Sequence, residues 1–137
     1  MLIYLDFDGT VVEHEYPSIG KCNVGCFEII HKLKEAGHEI IINTMRVEFD
    51  NLLLMEAIEY VQKNMKDISG QANPPMIDHT HYKYIPSKWN WEIHIKNQCV
   101  FIDDMCEGIP LKDGISVSRK MVDWHLIDLE FKAHGIY

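Results

Sequence analysis

Nowhere in its 137 residues does the chain carry an apolar run approaching the roughly 20 residues that a membrane span needs, so no span is expected. Bases are scarce: 13 Lys and Arg stand against 21 Asp and Glu, a formal charge of −8. A protein that tracks a phosphate backbone needs a basic face, so this balance disfavours nucleic acid as a partner. A surplus of carboxylates suits a protein that gathers them around a cation. Cysteine is limited to Cys22, Cys26, Cys99 and Cys106, which make no disulfide framework and point to a reducing compartment. No basic stretch precedes Leu2-Ile3-Tyr4-Leu5, so a secretory leader is not expected and a cytoplasmic location is. Internal repeats and low-complexity segments are also missing.

What is present is enough apolar residue, 47%, for one core, and residues 1–137 are read as a single domain. Short apolar strands alternate with amphipathic helices, the pattern of a parallel sheet covered on both faces. Leu2–Leu5 reads as the first strand. Residues 13–23, polar and carrying Pro17 and Gly20, read as a loop or small flap. Phe27, Ile30, Leu33 and Ala36 follow helical spacing, with Gly37 as the stop. Glu39–Asn43 holds three consecutive isoleucines and reads as a strand buried on both faces. A second helix is predicted over 48–64, with Leu53, Ala57, Tyr60 and Val61 inward. Residues 67–87 are broken by Asn73-Pro74-Pro75 and Ile85-Pro86. Ser87 is a candidate cap for a short helix through Ile95. Strands follow at Cys99–Ile102 and Ile115–Val117, then a helix capped by Asp123, with Trp124, Ile127 and Phe131 on one stripe. The predicted class is α/β, a three-layer Rossmann-like parallel sheet flanked by helices, whose ligands sit beyond the carboxyl ends of the strands.

Acidic residues concentrate at those ends. Asp6-Phe7-Asp8-Gly9-Thr10 follows the first strand directly, and Asp103-Asp104 follows another buried strand in the same way. Gly9 allows a sharp turn, and Thr10 can close the loop with a hydrogen bond. Neighbouring parallel strands lie about 4.8 Å apart, so two acidic strand exits can converge. Carboxylates brought together there repel one another unless a cation neutralises them. Mg²⁺ suits such a set, since it takes oxygen ligands and leaves positions for water and phosphate. An isolated Asp-Asp is more often a turn or helix cap; two acidic pairs at two strand exits are not easily explained that way.

Asp6-Phe7-Asp8-Gly9-Thr10-Val11 resembles the first motif of the haloacid dehalogenase superfamily of phosphohydrolases. Ile41-Ile42-Asn43-Thr44-Met45-Arg46 resembles the second motif, a strand ending in Thr or Ser, and Phe101-Ile102-Asp103-Asp104 the fourth, acidic one. The resemblance implies an HAD-like fold and a Mg²⁺-dependent phosphatase. In it Asp6 attacks phosphorus to form an aspartyl phosphate, while Asp8 protonates the leaving oxygen and then activates water. It further implies that Asp6, the Asp8 backbone carbonyl, Asp103 and Asp104 hold the ion, and that Thr44 bonds a phosphoryl oxygen. Gly9 and Thr10 would lie against the substrate. The lysine that this family sets against the phosphoryl group has three candidates. Lys96 begins the strand ending in Asp103 and so lies at the wrong end of the sheet; Lys88 follows the expected cap Ser87 at the catalytic end and is preferred, with Lys83 as runner-up.

Arg46 can reach a substrate phosphate or carboxylate with a forked contact, or pair with Asp50 one helical turn on. Asp78-His79-Thr80-His81 and Cys22-x-x-x-Cys26 invite a zinc reading as a second metal site, but neither spacing is specific, and turn or surface roles are the commoner account of such residues. His14 and Tyr16 in the flap can touch a substrate or be ordinary loop residues. Relatives in this superfamily select substrates with inserted cap domains. Here 33 residues separate Thr10 from Thr44 and 58 separate Thr44 from Asp103, all committed to the core, so no cap domain is expected. An open site suits a large phosphorylated substrate, or a small one enclosed by a neighbouring subunit. The competing class is a non-catalytic phosphate-binding module, either a degenerate relative or a receiver-like switch. A receiver carries its acidic pair after the first strand and its phosphorylated Asp on a later one; Asp8 in Asp-x-Asp-Gly-Thr favours the phosphatase.

Overall fold

The computed structural model describes residues 1–74, 76–80 and 88–137. Strand β1 (Leu2–Leu5) is the axis of the sheet, with Ile3, Tyr4 and Leu5 buried. Helix α1 (Cys26–Glu35) leads into β2 (Glu39–Ile42) through Gly37, whose φ of 88° closes the helix. The short α2 (Arg46–Phe49) and the long α3 (Asn51–Ser69) follow. Next come β3 (Asp78–His79), α4 (Trp91–Asn97), β4 (Cys99–Ile102), β5 (Leu111–Lys112), β6 (Met121–Val122) and α5 (Trp124–Ala133). The main sheet runs β3-β2-β1-β4 with every pairing parallel, and β5 and β6 form a separate antiparallel pair. The protein is therefore α/β, a parallel sheet flanked by helices in a Rossmann-like three-layer arrangement, as predicted.

Register matters most for the site. Leu5 pairs with Ile42 on one side and with Ile102 on the other. The three strands thus end level, and whatever follows each of them emerges at one edge. Tyr4 stacks on its register partner Phe101 with ring centroids 4.6 Å apart, covering one sheet face, while Ile3 and Leu5 enter the core on the other. Helix α1 packs against β2, α3 and α5. Helix α5 starts where expected: the Asp123 carboxylate accepts from the His125 and Leu126 amides, and Trp124, Ile127 and Phe131 are all buried.

Five sequence expectations are corrected. Residues 115–117 form no strand, because the Glu13 carboxylate accepts the Ile115 and Ser116 amides that a ladder would need. The helix predicted over 48–64 is two helices, split where Asp50 turns extended and caps Leu52. Its inward face is Leu54, Ala57, Ile58, Val61 and Met65; Ala57 and Val61 face inward as predicted, while Leu53 and Tyr60 are only half-buried. The short helix is capped by Asn90, which accepts from the Ile93 amide, rather than by Ser87, which lies outside the described residues. Within the stretch read as irregular, Asp78–His79 adds a fourth strand beside β2.

Candidate active site

The level ends of β1, β2 and β4 assemble the site. The Asp6 amide donates to the Ile102 carbonyl at 2.9 Å and the Asn43 amide to the Leu5 carbonyl at 2.8 Å, so the pairing continues to the point where the functional residues begin. Asp6 and Asp103 leave adjacent strands side by side. One carboxylate oxygen from each of Asp6, Asp103 and Asp104 lies within 4.8 Å of the others. The Thr10 hydroxyl donates to Asp6 Oδ2 at 3.0 Å, and the Met105 amide donates to Asp103 Oδ1 at 2.9 Å. Burial and then the neighbouring Asp103 and Asp104 charges hold the Asp6 carboxyl well above the usual carboxylate range. Burial first, with Asp104 adding to it, pushes Asp103 up to about 6. A set of hard oxygen donors, mutually repelling in the protein alone, fits a small divalent cation such as Mg²⁺.

The loop after β1 is fixed from behind. The Asn23 amide group donates to the carbonyls of Thr10 and Val122, and the Trp124 indole donates to Thr10 at 2.7 Å. Gly9 has φ of 80°, and a Cβ there would lie 2.0 Å from His14 Nε2. The missing side chain therefore gives the His14 ring its seat, from which Nε2 reaches Asp104 Oδ2 at 2.8 Å.

Asp8 is held by Arg46. Nε donates to Asp8 Oδ2 at 2.8 Å and Nη2 to Oδ1 at 2.9 Å. The remaining guanidinium protons go to the carbonyls of Pro17, Ser18 and Leu53. Its cation also lies 5.0 Å from the Phe7 ring centroid and 5.2 Å from that of Tyr16.

These residues open onto a cleft of about 600 Å³, lined by Asp6, Asp8, Asp103 and Asp104 together with Thr44 and Arg46. The acids and Thr44 singled out in the sequence thus come together. Others are placed differently. Thr10 is fully buried, and neither it nor Gly9 lines the cleft; the Thr10 hydroxyl serves Asp6 rather than a substrate. Arg46 lines the cleft but spends all its donors inside the protein, and pairs with Asp8 rather than Asp50. Lys88 is exposed, away from the cleft lining, in an extended segment bridged to Glu107, because α4 begins later than predicted. Lys96 lies in the last turn of α4, just before β4 begins. Lys83 and His81 lie outside the described residues. Among the described residues the cleft's cations are Arg46 and Arg119. No described Cys or His joins a group of three or more metal-ligating side chains.

Arg119 was not singled out in the sequence. It arrives because buried Glu13 anchors the loop at Ile115 and Ser116, a contact between residues about a hundred positions apart that no local pattern announces. The His14–Asp104 pair had one clue, a glycine five residues before a histidine in the flap.

No protein-family profile and no curated protein matches the chain. It is similar to a solved structure described as the conserved protein coded by locus from Bacteroides thetaiotaomicron. The two are 27% identical with a TM-score of 0.60, over 98% of this chain and 91% of that one. No helix among the described residues is long and apolar enough to cross a membrane.

Proposed function

We propose that this protein is a Mg²⁺-dependent phosphomonoester hydrolase of the haloacid dehalogenase superfamily, cytoplasmic, working through an aspartyl phosphate on Asp6. The observation that carries this reading is the convergence of Asp6, Asp103 and Asp104 at the exits of two adjacent strands in register, with Asp8 two residues beyond Asp6. Asp6 attacks phosphorus as the bond to the leaving alcohol breaks. Asp8 gives that alcohol its proton, later takes one from water, and the hydroxide so formed displaces phosphate from Asp6. Thr10 aims Asp6 through its hydroxyl, and Thr44 at the end of β2 is available to a phosphoryl oxygen. Asp103 and Asp104, with Asp6, would hold the ion. Bound there, it offsets the repulsion between an anionic nucleophile and an anionic phosphoryl group.

One observation favours a second reading. The Arg46 fork engages both Asp8 oxygens, so neither is presented to a substrate until one of them turns away. A protein in which it never turned would bind or accept phosphate without turnover. Hydrolysis of an aryl phosphate separates the two. The hydrolase reading requires turnover that depends on Mg²⁺, stops in chelator and is lost in Asp6→Asn. Undiminished hydrolysis in excess chelator rules it out.

A further inference from the structure

Acids make up four of the twelve residues that line the cleft. The remainder of its lining is largely apolar and exposed: Tyr16 is 46% exposed, Met45 48%, Phe49 63% and Met105 64%. Large apolar side chains scattered singly over a surface need no explanation. Here four of them, from the loop after β1, the β2–α2 junction, the end of α2 and the loop after β4, surround one cleft of about 600 Å³. That volume is the size of a small-molecule site.

We infer that this cleft selects phosphate esters whose alcohol portion carries a flat ring, of the nucleoside monophosphate kind. The inference rests on reading the acidic end as the phosphoryl site. Tyr16 and Phe49 form an aromatic pair with centroids 6.1 Å apart and planes tilted by 55°. Both are referenced to one immobile group. Tyr16 lies over the Arg46 guanidinium, whose N–H groups hold the carbonyls of Pro17 and Ser18 next to it. Phe49 ends the short helix that Arg46 begins. A wall so fixed loses little freedom when a ring settles against it. Met45 and Met105 bring unbranched, polarizable side chains that adapt to ring edges. Arg119 lines the same cleft and makes no ion pair among the described residues, so its guanidinium is available to ring acceptors or to a second anionic group.

The test compares adenosine 5′-monophosphate with ribose 5-phosphate, which present the same phosphorylated primary alcohol and differ in the ring. Binding is measured by calorimetry with Mg²⁺ on Asp6→Asn, where turnover does not interfere. The expected result is tighter binding of the nucleotide by roughly 10-fold or more, as base–aromatic stacking supplies. Adding Phe49→Ala should remove most of that preference and leave ribose 5-phosphate binding as it was; Phe49→Tyr should retain it. Equal binding of the two compounds, no binding of either, or loss of both alike in Phe49→Ala overturns the inference. So does light scattering that shows a dimer dissociated by Phe49→Ala, since the aromatic wall would then be covered by a second copy. Turnover by the wild-type protein separates the two readings. A ring preference without hydrolysis keeps this inference and removes the hydrolase; hydrolysis of both esters without preference does the reverse.

Discussion

Arg46 holds both carboxylate oxygens of Asp8, at 2.8 and 2.9 Å, from a position where its own side chain is wholly buried and that of Asp8 is 17% exposed. The two residues are joined unequally. Asp8 can still be reached by water, whereas the Arg46 cation depends on Asp8 for its counter-charge and on three backbone carbonyls for its other protons. The same side chain ties the flap at Pro17 and Ser18 to α3 at Leu53.

Removing Asp8 should therefore cost stability as well as activity. Asp8→Ala leaves a buried cation without its partner, and urea unfolding should show a loss of about 3 kcal/mol. Asp8→Asn, whose amide oxygen still accepts one N–H, should lose less. Arg46→Lys should behave as a severe change, because one ammonium cannot span a carboxylate and three carbonyls. A loss under about 1 kcal/mol in Asp8→Ala would mean that the flap moves and lets water solvate the guanidinium.

The acidic cluster sets the sign of a pH dependence. The Asp103 carboxyl stands at about 6 in the folded protein, raised by burial first, and Asp6 is raised in the same direction. Between the unfolded value near 4 and this folded value, the folded chain binds more protons than the unfolded one. Stability from these groups is then present at low pH and lost as pH rises through the folded value. Protein in chelator should be less stable at pH 7 than at pH 5 by about 1 kcal/mol for Asp103 alone. Mg²⁺ at pH 7 should restore it. Asp103→Asn should flatten the dependence and raise the metal-free Tm; a large fall in that Tm would make Asp103 a structural residue instead.

Gly9 carries two separable demands, a φ of 80° and room for His14. Gly9→Ala should lose the roughly 1–2 kcal/mol that an L-residue spends in the left-handed region, and more for the clash with the imidazole. In a His14→Ala background only the backbone part should remain. Denaturation of the two single variants and the double variant measures both parts. Strict additivity would mean that the imidazole leaves Asp104 at no cost.

Much of this fold is legible wherever one local signal acts alone. The isoleucines of β2, the Asp123 cap with its Trp124, Ile127 and Phe131 stripe, and the stop at Gly37 each follow from a few neighbouring residues. Residues 115–117 mislead because Glu13, far away in sequence, takes the amides that would have made a strand. The site divides in the same way. Asp6, Asp8, Thr44, Asp103 and Asp104 are legible because each follows an apolar strand, and registered strands end together. Arg46 is named by the sequence but its partner is not, since the choice between a substrate and Asp8 is made by the flap folding over it.

The last prediction separates Asp6 from Asp8. Asp6→Asn removes the nucleophile, so neither turnover nor covalent phosphate should appear. Asp8→Asn keeps the nucleophile and the acidic cluster but removes the proton donor and the later base. With an aryl leaving group that scarcely needs a proton, phosphoryl transfer to Asp6 should survive in part, while hydrolysis of the intermediate slows by roughly 10²–10⁴-fold. Intact mass under acid quench should then show phosphate accumulating on Asp8→Asn and absent from Asp6→Asn. The Arg46 fork adds a discriminating detail. If Asp8 must leave Arg46 to act, Arg46→Met should raise the fraction of Asp8 free to turn and change kcat, whereas Arg46→Met in the Asp8→Asn background should change it little. Phosphate found on Asp103, or both aspartate variants turning over at the wild-type rate, would remove Asp6 as the nucleophile and with it the order of events proposed for this site.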